Sequence, residues 1–337
     1  MTKPNIYIAY TGGTIGMQRS DMGYVPAPGS LTQQMQTMQA LQHDDMPDFT
    51  VHEYEPIIDS ADMSPANWQQ IADDIAEHYD DYDGFIVLHG TDTMAYSASA
   101  LSFMLENLAK PVVFTGSQVP LIEAHTDARE NLIGALLFAC KPELHEVCVF
   151  FDNKLYRGNR CQKTNANSYH AFDSVNYPAI GEVALALNLR DDCQFSKVSK
   201  PLSVQAIKNT QLAHIRLFPG LDSRVLNNIL DQPIQALVME TYGIGNAPVV
   251  NQSLVDILTA ATNRGVVIVN TSQCAIANVN MDSYPTGRAL KDIGIISGFD
   301  MTAESAITKL HYLFSKYDNI ETIKTQMQTN LRGELTP

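Results

Sequence analysis

Short apolar runs alternate along this chain with stretches in which apolar residues recur at helical spacing. Residues 85–88 (Phe-Ile-Val-Leu) are typical of a strand buried on both faces. From Met94 to Leu108 the apolar positions recur every three or four residues, which predicts a helix. The polar segment His89-Gly-Thr-Asp-Thr93 lies between them. Because open α/β sheets bind ligands at the carboxyl ends of strands, this segment is a candidate site. Alternatively, Asp92 or Thr93 is only a helix N-cap.

The same alternation predicts elements along most of the chain. Strands or extended segments are predicted at 6–10, 49–58, 111–116, 147–151, 213–218, 236–240 and 266–270. Helices are predicted at 30–41, 65–82, 127–140, 221–230, 253–263, 302–317 and 320–331. Residues 155–160 and 182–188 have the pattern of hairpin or edge pieces. Repeated βα units indicate an α/β fold whose sheets are mainly parallel and covered by helices.

A polar stretch divides the chain into two predicted domains. Residues 191–211 include Ser196, Lys197, Ser199, Lys200 and Pro201 and predict a linker. The domains would then span 1–190 and 212–337. No repeat of fixed period is visible.

Composition and charge indicate which classes of binding partner this protein is unsuited to. With 45% hydrophobic and 18% charged residues, the 337-residue chain is typical of globular proteins. The net charge of −15, from 22 basic and 37 acidic residues, argues against nucleic acid and against an anionic membrane surface. No apolar run approaches the length of about 18 residues expected of a membrane-spanning helix. The chain also starts without a cleavable apolar segment.

The cysteine pattern predicts free thiols. The five cysteines, at positions 140, 148, 161, 193 and 274, are odd in number and form no C-x-x-C pair. This usage favours a cytoplasmic location and provides no zinc framework. H-E-x-x-H is also missing, and we predict neither a metal nor a cofactor.

The first segment whose residues could take part in catalysis is Tyr10-Thr-Gly-Gly-Thr-Ile-Gly16, directly after a predicted strand. Its glycines allow a sharp turn and a close approach of a ligand to the backbone. Its G-x-T-x-G pattern resembles a nucleophile elbow with Thr14 in place of serine. It lacks the G-K-[ST] of a phosphate-binding loop. The alternative is a glycine turn that merely contains a threonine.

A threonine nucleophile needs a base nearby, and lysines are available later in the chain. Thr91 and Asp92 place a hydroxyl beside a carboxylate, whereas His89 is more typical of a packed core residue. Residues 153–163 carry Lys154, Arg157, Arg160 and Lys163. In so acidic a protein these cations are expected to be paired, and a buried lysine is a better base. The alternative is a basic surface hairpin.

Asp59 and Ser60 provide a further carboxylate and hydroxyl where an extended segment ends. A carboxylate at such a place suits the ammonium group of an amino acid ligand. An Asx turn before a helix explains the same residues equally well.

Together these segments resemble the bacterial L-asparaginase family, in particular its cytoplasmic type I branch. Residues 10–16 and Leu88-His-Gly-Thr-Asp-Thr-Met94 look like the two signature segments of that family. Asp59-Ser60, Gly116-Ser-Gln118, Arg157-Gly-Asn159, Tyr242-Gly-Ile-Gly-Asn-Ala-Pro248 and the tail 330–336 are also similar to that branch. The resemblance covers nearly the whole chain, from about residue 5 to residue 336.

The resemblance implies hydrolysis of the L-asparagine side-chain amide to L-aspartate and ammonia. Thr14 would attack and become acylated, while Thr91, Asp92 and Lys163 would activate a nucleophile or the deacylating water. Which threonine attacks first is left open. Tyr24 would belong to a mobile lid at 17–30, a segment with glycines and prolines typical of a hinged loop. The implied substrate-binding residues, with Asp59 on the ammonium group and Ser60 on the α-carboxylate, are Asp59, Ser60, Gly13, Gly90, Ser117 and Asn246.

The resemblance also implies a larger N-terminal and a smaller C-terminal α/β domain, assembled as a homodimer or a homotetramer. Some type I members have an effector site for asparagine that includes an arginine. The matching position here is Glu240, with Asn270, Thr271 and Cys274 nearby, so we expect weak or absent cooperativity.

Two other functions are compatible with the sequence. Glutamine is one methylene longer than asparagine, and a methylene provides only about 1–3 kcal/mol of discrimination, so minor glutaminase activity is expected. A non-catalytic amino-acid-binding regulatory protein on the same scaffold is the alternative from another class.

Overall fold

The computed structural model describes residues 3–21, 23–191, 195 and 198–337. The chain divides into two compact units, Met1–Val204 and Gln205–Pro337. Within the predicted linker, residues 192–194, 196 and 197 lie outside the described residues, and Cys193 is among them. The domain bounds 1–190 and 212–337 therefore stay a prediction.

The first unit alternates strands and helices from its first described residues onward. Its strands are β1 (Asn5–Tyr10), β2 (Met17–Ser20), β3 (Gly23–Pro26), β4 (Asp48–Glu53), β5 (Gly84–Leu88), β6 (Leu105–Glu106), β7 (Val112–Thr115), β8 (Val147–Phe151), β9 (Lys154–Arg157), β10 (Gln162–Lys163), β11 (Phe172–Asp173), β12 (Gly181–Val183), β13 (Leu187–Leu189) and β14 (Ser203–Val204). Its helices are α1 (Ser30–Thr37), α2 (Pro65–Glu77), α3 (Met94–Met104) and α4 (Ala128–Ala139).

Among the described residues, eight strands form the main sheet of this unit in the order β13-β12-β9-β8-β7-β5-β1-β4. The pairs from β4 through β1, β5 and β7 to β8 are parallel. The pairs from β8 through β9 and β12 to β13 are antiparallel. The pieces expected at 155–160 and 182–188 thus lie at one edge of the sheet.

Burial on both faces explains why the central strands are continuous apolar runs. Every residue of β5 and of β8 is buried, as expected for parallel strands covered by helices. Ile86 and Leu88 of β5 pack with Leu132 and Leu136 of α4 in one hydrophobic core. α2 begins with a capping box between Ser64 and Asn67 and with proline at its first turn.

The second unit repeats the pattern on a smaller scale. Its strands are β15 (Leu212–Arg216), β16 (Ala236–Thr241), β17 (Val267–Ser272) and β18 (Ile296–Ser297), and its helices are α5 (Ser223–Leu230), α6 (Gln252–Asn263), α7 (Pro285–Asp292), α8 (Ala303–Lys316) and α9 (Ile320–Met327). In the part of the chain that the structure describes, these four strands form a parallel sheet in sequence order. The prediction of two α/β units with a larger first sheet is confirmed.

Several local predictions differ from the structure. The segment after Gly16, expected to be a hinged loop, contains the antiparallel hairpin β2–β3, with Arg19 opposite Tyr24. The helix expected to reach Leu108 ends at Met104, because Leu105 and Glu106 pair with β14. Helix α7 and strand β18 were not predicted. Long-range pairing outweighs local periodicity at such positions.

Candidate active site

The strand order places two polar turns at the point where a ligand is expected. The parallel part of the main sheet, β4-β1-β5-β7-β8, has the order 2-1-3-4-5 when these strands are counted along the chain. In a sheet of this order the ligand crevice lies outside the carboxyl ends of the first and third strands. These strands are β1, which leads into Thr14, and β5, which leads into Thr91. The topology therefore selects the same two turns as the residue pattern.

The two turns are in direct backbone contact. Gly13 has a φ of +98°, and a Cβ atom there would lie 2.5 Å from the Cα of Gly90. A Cβ atom on Gly90 would lie 2.4 Å from Oγ of Ser60. Glycine is thus required at both positions, because a side chain on Gly13 would push the two turns apart and a side chain on Gly90 would collide with Ser60. Thr14 follows as the first residue of a 3-10 turn and is half-buried.

Lys163 connects the second turn to a distant part of the chain. Its Nζ donates to Thr91 Oγ1 over 2.8 Å and to Asp92 Oδ1 over 2.7 Å. The Thr91 hydroxyl donates in turn to Oε1 of Gln118 over 3.2 Å. Thr91 is buried, whereas the side chains of Lys163 and Asp92 are 19% and 66% exposed. The structure therefore brings a hydroxyl, a carboxylate and an amine together at the carboxyl end of β5.

The N-cap explanation of this segment does not account for the contacts. Thr93 is the N-cap residue of α3, but its side chain makes no capping bond. Its Oγ1 donates instead to the carbonyl oxygen of Ser60 over 2.7 Å. The side chain of Asp92 is held by Lys163. The side chains of both residues thus tie the turn to other segments.

His89 is a packed residue, as its type and position indicated. Its ring is buried, with Nδ1 2.6 Å from the carbonyl oxygen of Gly90 and Nε2 2.8 Å from Oγ of Ser97. Burial lowers the pKa of His89 to about 4. The neutral ring of His89 therefore supports the turn 89–93 through hydrogen bonds inside the first unit.

Asp59 and Ser60 lie beside the glycine turns. Asp59 is exposed, and its Oδ1 accepts from the backbone N–H of Ala61 over 2.9 Å, which is the local turn contact expected of an Asx turn. Ser60 is buried against Gly90. The carboxylate of Asp59 therefore makes one local hydrogen bond and is otherwise exposed to solvent.

Among the described contacts, two of the four cations in the basic segment 154–163 form ion pairs, Arg157 with Glu146 and Lys163 with Asp92. The buried Arg157 donates from Nε to Oε2 of Glu146 over 2.6 Å. The guanidinium groups of Arg157 and Arg160 lie over the ring of Tyr177, at 4.7 and 4.9 Å from its centroid. The pairing predicted for an acidic protein is confirmed for Arg157 and Lys163. Because Arg157 and Arg160 are buried, the segment is not a plain basic surface hairpin.

Tyr24 and Ser117 occupy segments that flank the threonine turns. Tyr24 lies on β3, is 43% exposed and donates its hydroxyl to Oε1 of Glu123 over 3.0 Å. Ser117 is buried, and its hydroxyl donates to the carbonyl oxygen of Val119 over 2.7 Å. Neither side chain has a hydrogen bond to Thr14 or Thr91 among the contacts of the described residues.

The remaining candidates lie in the second unit. Asn246 closes a turn opposite Tyr242, and its Oδ1 accepts from Oγ1 of Thr286 over 2.6 Å. Asn270 is buried and accepts from Oγ1 of Thr241 over 2.7 Å. Its Nδ2 donates to the carbonyl oxygen of Gly245 over 3.0 Å, so Asn270 supports the same turn.

The proposed effector positions differ in environment. Oε2 of Glu240 is 3.2 Å from Nε2 of His214, and the Glu240 side chain is 15% exposed. Thr271 is buried and Cys274 is exposed. Glu240 is therefore in position to pair with a basic group of its own unit.

Two residues at the site were not assigned a role by the sequence. Gln118 lies in a segment that matches the family pattern, and its contact with Thr91 depends on a pairing across 27 residues. Glu123 holds both Arg19 and Tyr24, but a single glutamate in a loop has no distinguishing spacing. Only the folded chain reveals these contacts.

Other site types find no support in the described residues. No group of three or more His, Cys, Asp or Glu side chains there is arranged to hold a metal ion. No described helix combines the length and apolar character needed to cross a bilayer. Cys140, Cys148, Cys161 and Cys274 are free thiols.

Comparison with known proteins agrees with this architecture. Residues 5–194 match the family model "Asparaginase, N-terminal", and residues 211–327 match "Glutaminase/Asparaginase C-terminal domain". L-asparaginase 1 of Escherichia coli strain K12 is 50% identical over 337 residues, covering 100% of this chain and 99% of that protein. L-asparaginase of Dirofilaria immitis is 40% identical over 98% of this chain and 60% of its own length.

Solved structures give the same result. The crystal structure of L-asparaginase I from Vibrio cholerae matches with a TM-score of 0.93 and 48% identity over the full length of both chains. The chain described here belongs to the asparaginase family.

Proposed function

We propose that this protein hydrolyses the side-chain amide of L-asparagine to L-aspartate and ammonia through a threonine acyl-enzyme intermediate. The observation that carries the proposal is the contact of Lys163 Nζ with both Thr91 Oγ1 and Asp92 Oδ1, beside the turn that holds Thr14. A threonine hydroxyl is a poor nucleophile alone, and this group of side chains is suited to move its proton. The family membership of the chain supports the same reaction.

In the proposed mechanism, Oγ1 of Thr14 attacks the amide carbon of asparagine and loses its proton. The amide oxygen becomes negatively charged, and N–H groups of the glycine turn or of Thr91 stabilise it. Each such donor is worth roughly 3–4 kcal/mol in related acyl-transfer sites. The amide nitrogen takes up the proton that Thr14 has lost and leaves as ammonia, so that an ester joins Thr14 to the aspartyl group.

Water then hydrolyses the ester, and Thr91, Asp92 and Lys163 assist this step. Oγ1 of Thr91 lies 2.8 Å from Nζ of Lys163 and 3.2 Å from Oε1 of Gln118, so its hydroxyl is within hydrogen-bond reach of the lysine amine. Proton transfer of this kind contributes about 10²–10⁴-fold to a rate. Attack of water on the carbonyl carbon breaks the bond to Thr14, returns its proton and releases aspartate.

Substrate recognition is proposed for residues around the same turns. The exposed carboxylate of Asp59 would bind the α-ammonium group, and Ser60 with backbone N–H groups near Gly13 and Gly90 would bind the α-carboxylate. Ser117 completes the proposed set in the first unit, with Tyr24 as the lid residue, and Asn246 in the second unit is proposed, from the family resemblance, to reach the site of a neighbouring subunit. The extra methylene of glutamine is a small penalty, so minor glutaminase activity belongs to the proposal.

Ammonia release from L-asparagine tests the proposed function. The wild type should release ammonia, and Thr14→Ala should lose activity by about 10³-fold or more, since removal of a nucleophile leaves only residual catalysis. A glutamate dehydrogenase coupled assay measures the product. A wild type that binds asparagine without releasing ammonia would contradict hydrolysis and favour a regulatory binding protein.

We also propose that the rate depends hyperbolically on asparagine concentration. The effector arginine of some type I members is replaced here by Glu240, which lies 3.2 Å from His214 and offers the wrong charge for an α-carboxylate. Initial rates across a wide range of asparagine concentrations should fit a Hill coefficient near one. A clearly sigmoidal curve would contradict this expectation. It would instead support an effector site that includes Glu240, Asn270, Thr271 and Cys274.

Two broader features complete the proposal. A homodimer or homotetramer is supported by family membership, and sedimentation velocity measures the state directly. A cytoplasmic location is supported by the free thiols at positions 140, 148, 161 and 274.

A further inference from the structure

Both strands of the hairpin β2–β3 are hydrogen-bonded to the carboxylate of Glu123, which lies on a different segment of the chain. Oε1 and Oε2 of Glu123 accept from Nε and Nη2 of Arg19 at 2.6 and 3.2 Å. Oε1 also accepts from the Tyr24 hydroxyl at 3.0 Å. Arg19 and Tyr24 are paired across the hairpin, so both strands are held at one point. A two-pronged guanidinium–carboxylate pair fixes orientation as well as distance.

The loop that carries Glu123 also contacts both threonine turns. The backbone N–H of Leu121 donates to the carbonyl oxygen of Ile15, the residue after Thr14, over 3.0 Å. At the start of the loop, Gln118 accepts from the Thr91 hydroxyl. Asp127 closes the loop by accepting from the backbone N–H groups of Gln118 and Val119. Glu123 therefore fastens the hairpin to the segment that already supports the proposed reactive groups.

The solvent exposure of Arg19 and Glu123 is suited to an ion pair that forms and breaks reversibly. The side chain of Arg19 is 75% exposed and that of Glu123 is 22% exposed. Exposed ion pairs are weak and are screened by salt, so the attachment of the hairpin to Glu123 is reversible. The guanidinium group of Arg19 lowers the pKa of Glu123, which keeps the carboxylate ionised. A lid over a reaction site has to release product, and a strong buried pair would prevent this.

We propose that Glu123 is a positioning residue for the reaction: it holds the β2–β3 hairpin closed against the loop that carries Glu123, and thereby fixes the position of Tyr24 relative to the threonine turns. This inference rests on the proposed amide hydrolysis for its kinetic consequence, while the closure itself is independent of that activity. Glu123 acts through Arg19 and Tyr24, and its contacts within the described part of the chain include neither Thr14 nor Thr91.

The kinetic test compares Glu123→Gln with wild type. Loss of the charge should lower kcat/KM for asparagine by about two- to fivefold, because the free energy of an exposed ion pair is smaller than the free energy that corresponds to a tenfold change. Arg19→Gln should give a similar loss, and the double variant should be no worse than either single variant. Rising salt should lower the wild-type value toward that of Glu123→Gln. The matched control is Glu130→Gln, an exposed glutamate in the first turn of α4, which should match wild type.

A second readout needs no activity. Trypsin cleaves after Arg19 only when that side chain leaves Glu123, so cleavage there should be several-fold faster in Glu123→Gln than in wild type or Glu130→Gln. Mass spectrometry identifies the fragment, and equal melting temperatures show that the whole unit has not loosened. If ammonia release fails in wild type, the proposed function fails and the cleavage rates still decide the closure. Unchanged cleavage in Glu123→Gln overturns the inference, as does an unchanged kcat/KM in an active enzyme.

Discussion

Replacing Lys163 with methionine should lower kcat for L-asparagine by about 10²–10⁴-fold, the range expected when one proton-transfer group is lost. Methionine keeps an unbranched apolar stem but removes the amine that contacts Thr91 and Asp92 at 2.8 and 2.7 Å. Stability should change by less than about 1 kcal/mol, because the partner Asp92 is largely exposed to water. Steady-state rates of ammonia release and urea unfolding curves measure the two effects separately.

Two further variants separate the role of the amine from the role of its charge. Lys154→Met makes the same change at the start of β9 and should leave kcat nearly unchanged. Lys163→Arg keeps a cation but cannot act as a base at neutral pH, so it should remain impaired. Full activity in Lys163→Arg would show that charge alone is needed. A Lys163→Met enzyme that keeps more than a tenth of wild-type kcat would contradict the proposed proton transfer.

The turns that hold Thr14 and Thr91 could be predicted because each lies in a continuous stretch of sequence. The apolar run 85–88 and the periodic positions after Met94 define a strand and a helix by local pattern alone. The connection between them then falls at the carboxyl end of a parallel strand. The sequence pattern thus predicts where the two threonine turns lie in the fold, independently of the order of strands.

Contacts between distant segments could not be derived in the same way. Lys163 is 72 residues from Thr91, and Glu123 is 104 residues from Arg19. The resemblance to a family suggested the first pair, whereas no spacing or composition suggests the second. The local sequence predicts a loop at the hairpin β2–β3, because glycines and prolines mask the strand pattern in strands of only four residues. Such short strands depend on partners that local sequence does not reveal.

In the second unit, replacing Lys309 with methionine should destabilise the protein by about 3–5 kcal/mol, the range expected when one partner of a buried ion pair is removed. The side chains of Lys309, on α8, and Glu334 are both 0% exposed, and Lys309 Nζ is 2.5 Å from Oε1 of Glu334. Burial lowers the pKa of Lys309, while Glu334 opposes that shift. Nζ also donates to the carbonyl oxygens of Met327 and Thr329, at 2.9 and 2.7 Å, just where α9 ends.

The buried pair explains why α9 stops at Met327 although helical spacing continues to Leu331. Glu334 accepts from the backbone N–H groups of Leu331 and Arg332, so the tail turns back and supplies the counter-charge for Lys309. Without the amine, a buried carboxylate and two carbonyl oxygens lose their partner, which is the costly case. Lys324→Met, which breaks an exposed pair with Glu321 on α9, should cost less than about 1 kcal/mol. Urea unfolding followed by circular dichroism measures both variants, and equal losses from the two would show that burial of the Lys309 pair does not matter.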